Sequence, residues 1–115
     1  MSTFAYYNVS TTNVTTISAI DSVGSTSAAD GQLGAPKIVT ICNKDASGDD
    51  CVIELYIDNS DSSKTYYILH DLTIPGGATL VLEQPELNYD STIYALKFKL
   101  TSVSATQLID IKVEY

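Results

Sequence analysis

Hydrophobic and polar positions alternate with a period of two along most of this chain, in short stretches separated by polar turns. The longest such unit, residues 65–83, reads TYYILHDLTIPGGATLVLE. Tyr67 and Leu69 alternate with Tyr66, Ile68 and His70, and Ala78, Leu80 and Leu82 alternate with Thr79 and Val81. The pattern predicts a strand, a corner and a second strand. Pro75 has no N–H to give to a sheet, and Gly76 and Gly77 accept the positive φ that side chains penalise, so the corner is a backbone device.

The same period predicts the other strands. Residues 37–43 point Val39 and Ile41 to one face, and residues 51–58 point Ile53, Leu55 and Ile57 inward with Glu54 and Tyr56 outward. Residues 84–91, with Pro85, make a crossing, after which residues 92–100 send Tyr94, Leu96, Phe98 and Leu100 to the core and Lys97 and Lys99 to water. Residues 107–115 set Ile109, Ile111, Val113 and Tyr115 against Asp110, Lys112 and Glu114. With a strand over 13–20 this makes seven strands and no helical period. The expected fold is all-β, a single antiparallel β-sandwich of immunoglobulin-like or jelly-roll arrangement. Asp90 and Tyr94 fall roughly where a tyrosine corner sits in immunoglobulin-like domains, a spacing equally explained by a Tyr packed at a strand entry.

The first third of the chain reads differently. Residues 4–9 are an extended segment expected to start outside the main body, and residues 21–36 are rich in Gly, Ser, Ala and Asp, as in a loop or linker. The predicted organisation is therefore an N-terminal arm and flexible linker over 1–36 and a sandwich body over 37–115. Each large aliphatic buried contributes ~1.5 to 3 kcal/mol against ~1 to 2 kcal/mol of backbone entropy per ordered residue, so a lone body of this size is marginal and oligomerisation or docking is expected.

Composition narrows the partners. The net charge is −8, and all six basic residues are Lys. Nucleic acid and anionic membrane surfaces both call for clustered cations, and neither is expected as a partner. With no bilayer-length apolar run and no charged start leading into an apolar region, the expectation is a soluble protein made in the cytoplasm. Cys42 and Cys51 flank a polar loop, and a hairpin placing them opposite each other would allow a disulfide. Two small buried thiols at strand ends are favoured, because a reducing cytoplasm keeps thiols reduced.

Candidate chemistry is thin. His70 stands beside Asp71, but neighbouring strand residues face opposite sides of a sheet, so adjacency does not make a dyad and a structural histidine is expected. Asp45, Asp49, Asp50, Asp58 and Asp61 cluster in loops without the order of an EF-hand, and solvated turns are favoured over a calcium site. No catalytic residue, cofactor or metal is assigned. Tyr6, Tyr7, Tyr56, Tyr66 and Tyr67 suit either an interface or cross-strand packing.

The segments VTTI near the start, KIVTICN, VIELYID, YYILHDLTIPGGATLVLE, YALKFKLTS and IDIKVEY together resemble a group of small virion structural proteins of tailed bacteriophages. The likeness runs from about Val14 to Tyr115 and is most specific over residues 66–82; Tyr89-Asp90-Ser91 stands where members commonly carry a Gly-Asp turn. The resemblance implies a non-enzymatic β-sandwich of the virion, made in the host cytoplasm. Its role would be capsid decoration or cement on the head lattice, or a tail, neck or fibre-attached component. Its partners would be the major capsid protein, tail or neck proteins, and further copies of itself. Phe4, Tyr6, Tyr7, Val9, Val14, Ile17, Tyr66 and Tyr67 are the expected assembly contacts. A carbohydrate- or surface-binding module, with its tyrosines gathered in one patch, is the alternative from a different class.

Overall fold

The computed structural model describes residues 4–20, 35–59, 64–102 and 106–115. Eight strands form among these residues: β1 (Phe4–Val9), β2 (Thr15–Ser18), β3 (Ile38–Asn43), β4 (Cys51–Asn59), β5 (Thr65–Ile74), β6 (Thr79–Glu83), β7 (Tyr94–Ser102) and β8 (Ile109–Glu114). They make two antiparallel four-stranded sheets, ordered β1-β8-β3-β6 and β2-β7-β4-β5. Apart from the β4–β5 hairpin, every connection passes from one sheet to the other, and this nested order is that of a jelly roll. No helix forms among the described residues.

The alternation that predicts the strands is also what closes the sandwich. Val39 and Ile41 of β3, and Ile109, Ile111 and Val113 of β8, face Ile53 and Leu55 of β4 and Leu96, Phe98 and Leu100 of β7, all essentially excluded from solvent. Phe98 is the largest of these, and it stands opposite both Leu55 on β4 and Thr15 on β2. Leu87, in the turn after β6, is equally buried; the crossing over 84–91 thus contributes to the core.

The N-terminal expectation needs correction. Residues 4–9 are not an arm outside the body: β1 pairs with β8 over six positions, Phe4↔Glu114 through Val9↔Ile109, and puts Ala5 and Val9 in the core. β2 pairs with β7, and Ile17 is fully buried. The body therefore includes residues 4–20, and FAYYNV turns Ala5, Tyr7 and Val9 inward and Phe4, Tyr6 and Asn8 outward with the same period as the later strands. The predicted linker falls largely on 21–34, outside the described residues, as does Asp61.

Two polar clusters tie loops to the sheets. At one end the buried Asn43 side chain donates to the carbonyls of Asp49 (3.0 Å) and Ile74 (2.9 Å) and accepts from Asp45 N (3.2 Å) and Gln107 Nε2 (2.8 Å). Elsewhere the hydroxyls of Tyr7 and Tyr115 both donate to Ile17 O, at 3.1 and 2.7 Å, and Ser18 Oγ donates to Tyr115 Oη at 3.0 Å. Because β2 belongs to one sheet and β1 and β8 to the other, these bonds span the sandwich.

Candidate functional site

Among the described residues, the outer face of the second sheet gathers three side chains that could hold a metal ion, and irregularity in β5 assembles them. On β4 the inward Ile53 and Leu55 pair with Leu72 and Leu69. Glu54, alone between them, therefore faces two residues, His70 and Asp71: a β-bulge. Asp71 takes φ of 50°, a left-handed conformation that Asp tolerates better than most side chains. A second shift follows at once, since Leu55 pairs with Leu69 while Tyr56 pairs with Tyr67, leaving Ile68 without a position of its own. Ile68 and Leu69 both turn partly into the core.

The bulge corrects the premise that His70 and Asp71 face opposite sides of the sheet. Strict alternation sends neighbours to opposite faces, but the bulge brings both toward Glu54. His70 Nε2 lies 3.2 Å from Glu54 Oε2, and His70 Nδ1 lies 3.6 Å from Asp71 Oδ2. Glu54 is nearly buried, whereas the His70 and Asp71 side chains are more than half exposed. Beside them the Tyr67 ring meets His70 edge-on at 4.6 Å and tilts against Tyr56 at 5.4 Å. Burial, reinforced by the nearby Asp58, pushes the Tyr56 phenol above its ordinary pKa. On the β7 side Lys99 stands opposite Glu54, and Lys97, opposite Tyr56, reaches Asp58 Oδ2 at 2.9 Å.

The other tyrosines divide. Tyr66, opposite Ile57, has the register of the inward positions and contacts Tyr94 edge-on at 5.8 Å. Tyr94 is half-buried at this end, not in the core, and Ile57 beside it is also only half-buried. Asp90 instead holds the preceding turn, accepting from Thr92 N (3.0 Å) and Oγ1 (2.5 Å), which keeps its carboxyl below the usual range.

The first sheet presents a different outer face. Tyr6, Asn8, Thr40, Cys42, Asp110 and Lys112 line an open depression of about 470 Å³. Asp110 is engaged there by Lys44 at 2.8 Å and by Asn8 Nδ2 at 2.8 Å, and both contacts hold its carboxyl below the usual range. Cys42 lies on this outer face, opposite Asp110 and Thr79, while Cys51 belongs to the other sheet and is buried in the core. Both thiols are free, so the disulfide alternative is corrected: their strands are in different sheets, and no hairpin places them opposite each other. Burial pushes the Cys51 thiol up.

Of the predicted assembly contacts, Phe4, Tyr6, Val14, Tyr66 and Tyr67 are exposed and Tyr7 is half-buried. Val9 and Ile17 are core residues and cannot serve without unfolding. Glu54 as a partner of His70 was not foreseen. The signal was present in β5, where Tyr66-Tyr67, Ile68-Leu69 and His70-Asp71 run as doublets of like character, which a regular two-residue period cannot accommodate. No family model, curated protein or solved structure matches this chain at a level that would establish a relationship.

Proposed function

We propose that this protein is a non-enzymatic structural component of a tailed-phage virion, with capsid decoration or cementing as its role and a tail, neck or fibre attachment as the variant of the same reading. The observation that carries it is the placement of the exposed large apolar side chains. Phe4 and Tyr6 lie on β1, Tyr66 and Tyr67 on β5 and Val81 on β6, all edge strands, and Val14 directly precedes β2, the fourth edge; among the described residues one further exposed large apolar side chain, Ile93, lies instead before the central strand β7. A protein that meets neighbours on several sides needs apolar area on several edges, and these side chains supply it. The resemblance of its segments to small phage virion proteins motivates the finer assignment, and the jelly roll is an architecture that viral capsid and lectin domains both use.

One observation favours a second reading. Tyr56, Tyr67 and His70 gather in ring contact on one face beside the carboxylates of Glu54 and Asp71, an arrangement of stacking surface and hydrogen-bond acceptors that suits a sugar. Light scattering of the purified full chain, paired with a glycan array, separates the two. The assembly reading expects a concentration-dependent oligomer that Tyr6→Lys dissociates, with no glycan retained. A monomer at every concentration that binds glycan, and loses it on Tyr67→Ala, would replace that reading with carbohydrate recognition.

A further inference from the structure

The convergence of Glu54, His70 and Asp71 is more than an ion pair on a sheet. We propose that these three side chains form a binding site for a divalent first-row transition cation of zinc-like chemistry, on the outer face of the second sheet. Each residue offers one ligand atom, and the three atoms lie within 4.8 Å of one another. Zinc bonds of about 2.0 to 2.2 Å to nitrogen and oxygen place ligand atoms about 3.3 to 3.6 Å apart in a tetrahedral shell. His70 Nε2 and Glu54 Oε2 already stand at 3.2 Å. The exposed Asp71 carboxylate, which lies 3.6 Å from His70 Nδ1, is the third ligand and must rotate toward the Nε2 side to join the other two.

The backbone provides the preorganisation. Glu54 and the His70–Asp71 doublet sit on hydrogen-bonded neighbours, and the bulge is what gives one carboxylate two facing residues. Glu54 is nearly buried, and the Tyr67 ring meets the imidazole of His70 edge-on at 4.6 Å, which narrows the space through which each can swing. The donor set selects the ion: an imidazole nitrogen with two carboxylates suits Zn²⁺, Co²⁺ or Ni²⁺, whereas Ca²⁺ and Mg²⁺ call for an all-oxygen shell. Lys99, opposite Glu54, opposes a cation electrostatically, while Lys97 is committed to Asp58. Three protein ligands leave at least one coordination position for water or for a partner's side chain. The site stands on its own geometry, whether or not the virion reading holds.

Isothermal titration of the full chain with ZnCl₂, with CaCl₂ as the contrasting ion, tests this directly. The expected result is one saturable zinc equivalent with micromolar affinity and no comparable calcium binding. His70→Ala and Glu54→Gln, each checked for an unchanged circular dichroism spectrum, should weaken zinc by about tenfold or more. Lys99→Met should tighten it. Cobalt substitution should give a visible absorption band that His70→Ala removes. Absence of saturable zinc binding, or binding that His70→Ala leaves unchanged, would overturn the proposal.

Discussion

Asn43 shows how much one buried amide can hold. Its side chain makes four hydrogen bonds joining the loop after β3, the end of β5 and the segment before β8. Removing it leaves buried donors and acceptors unpaired, each with a desolvation penalty of its own. Asn43→Ala is expected to cost on the order of 3 kcal/mol, seen as a lower urea midpoint with an unchanged slope. Phe98→Ala empties the centre of the sandwich and should cost about 3 to 5 kcal/mol in the same measurement.

Tyr89 and Tyr115 make a prediction about alkaline pH. Burial pushes both phenols up to about 12, the Tyr115 shift partly offset by its bond with Ser18. Both are neutral in the folded protein at a pH where an unfolded tyrosine, with a pKa of about 10, already ionises. Their contribution is therefore complete below about pH 10 and is lost as pH rises toward about 12. Urea midpoints measured from pH 9 to 12 should fall across that window, and Tyr115→Phe should flatten part of the fall. Absorbance at the tyrosinate band should show a late-titrating class only while the protein is folded.

Among the elements, the corner between β5 and β6 separates two uses of glycine that look alike in sequence. Ala78 N donates to Pro75 O at 3.0 Å, and Gly77 takes φ of 84°, the third position of a type II turn. Gly76 has no such φ. It is required because a Cβ there would overlap the backbone carbonyl of Gly48 in the facing loop. Gly77→Ala, which meets open space, should cost about 1 to 2 kcal/mol of backbone strain, and Gly76→Ala about 3 kcal/mol as the two loops are pushed apart. Denaturant unfolding of the two variants gives that order directly.

The period of two was enough to place β2, β3, β4, β6, β7 and β8 and the corner, since most positions in those strands alternate between a more and a less buried face, with Glu54 and Ile57 of β4 among the exceptions. It failed where alternation slips. In β5 the bulges keep like residues adjacent, so His70 and Asp71 looked opposed when they converge. For β1 the limit was of another kind: FAYYNV carries no charge and only modest aliphatics, and nothing local in it tells a projecting segment from a strand paired with the far end of the chain. The Cys42 and Cys51 sites were legible as strand ends, but which sheet each strand joins is a property of the topology.

At the scale of the whole molecule, the four edges are protected unequally. β2 is only four residues long and shifts register, β5 is bulged and carries His70 and Asp71, and β6 is short and ends in Glu83. β1 runs for six residues in unbroken register with neither charge nor proline. Natural edges are commonly blunted by bulges, charges or brevity, and β1 lacks all but the last in moderate degree. This is the edge at which association is expected first, and Phe4 and Tyr6, stacked at 6.5 Å beside it, add apolar area.

Amide hydrogen exchange at low and high protein concentration is the measurement that tests the assembly account most directly, because it reads edges and centre separately. Amides of the central strands β8, β3, β7 and β4 should exchange slowly at both concentrations. The account predicts that β1, fast in dilute solution, becomes protected as concentration rises, with β5 following at its tyrosines. Exchange in β1 and β5 that does not change with concentration, in a protein whose central strands are fully protected, would contradict self-association through these edges.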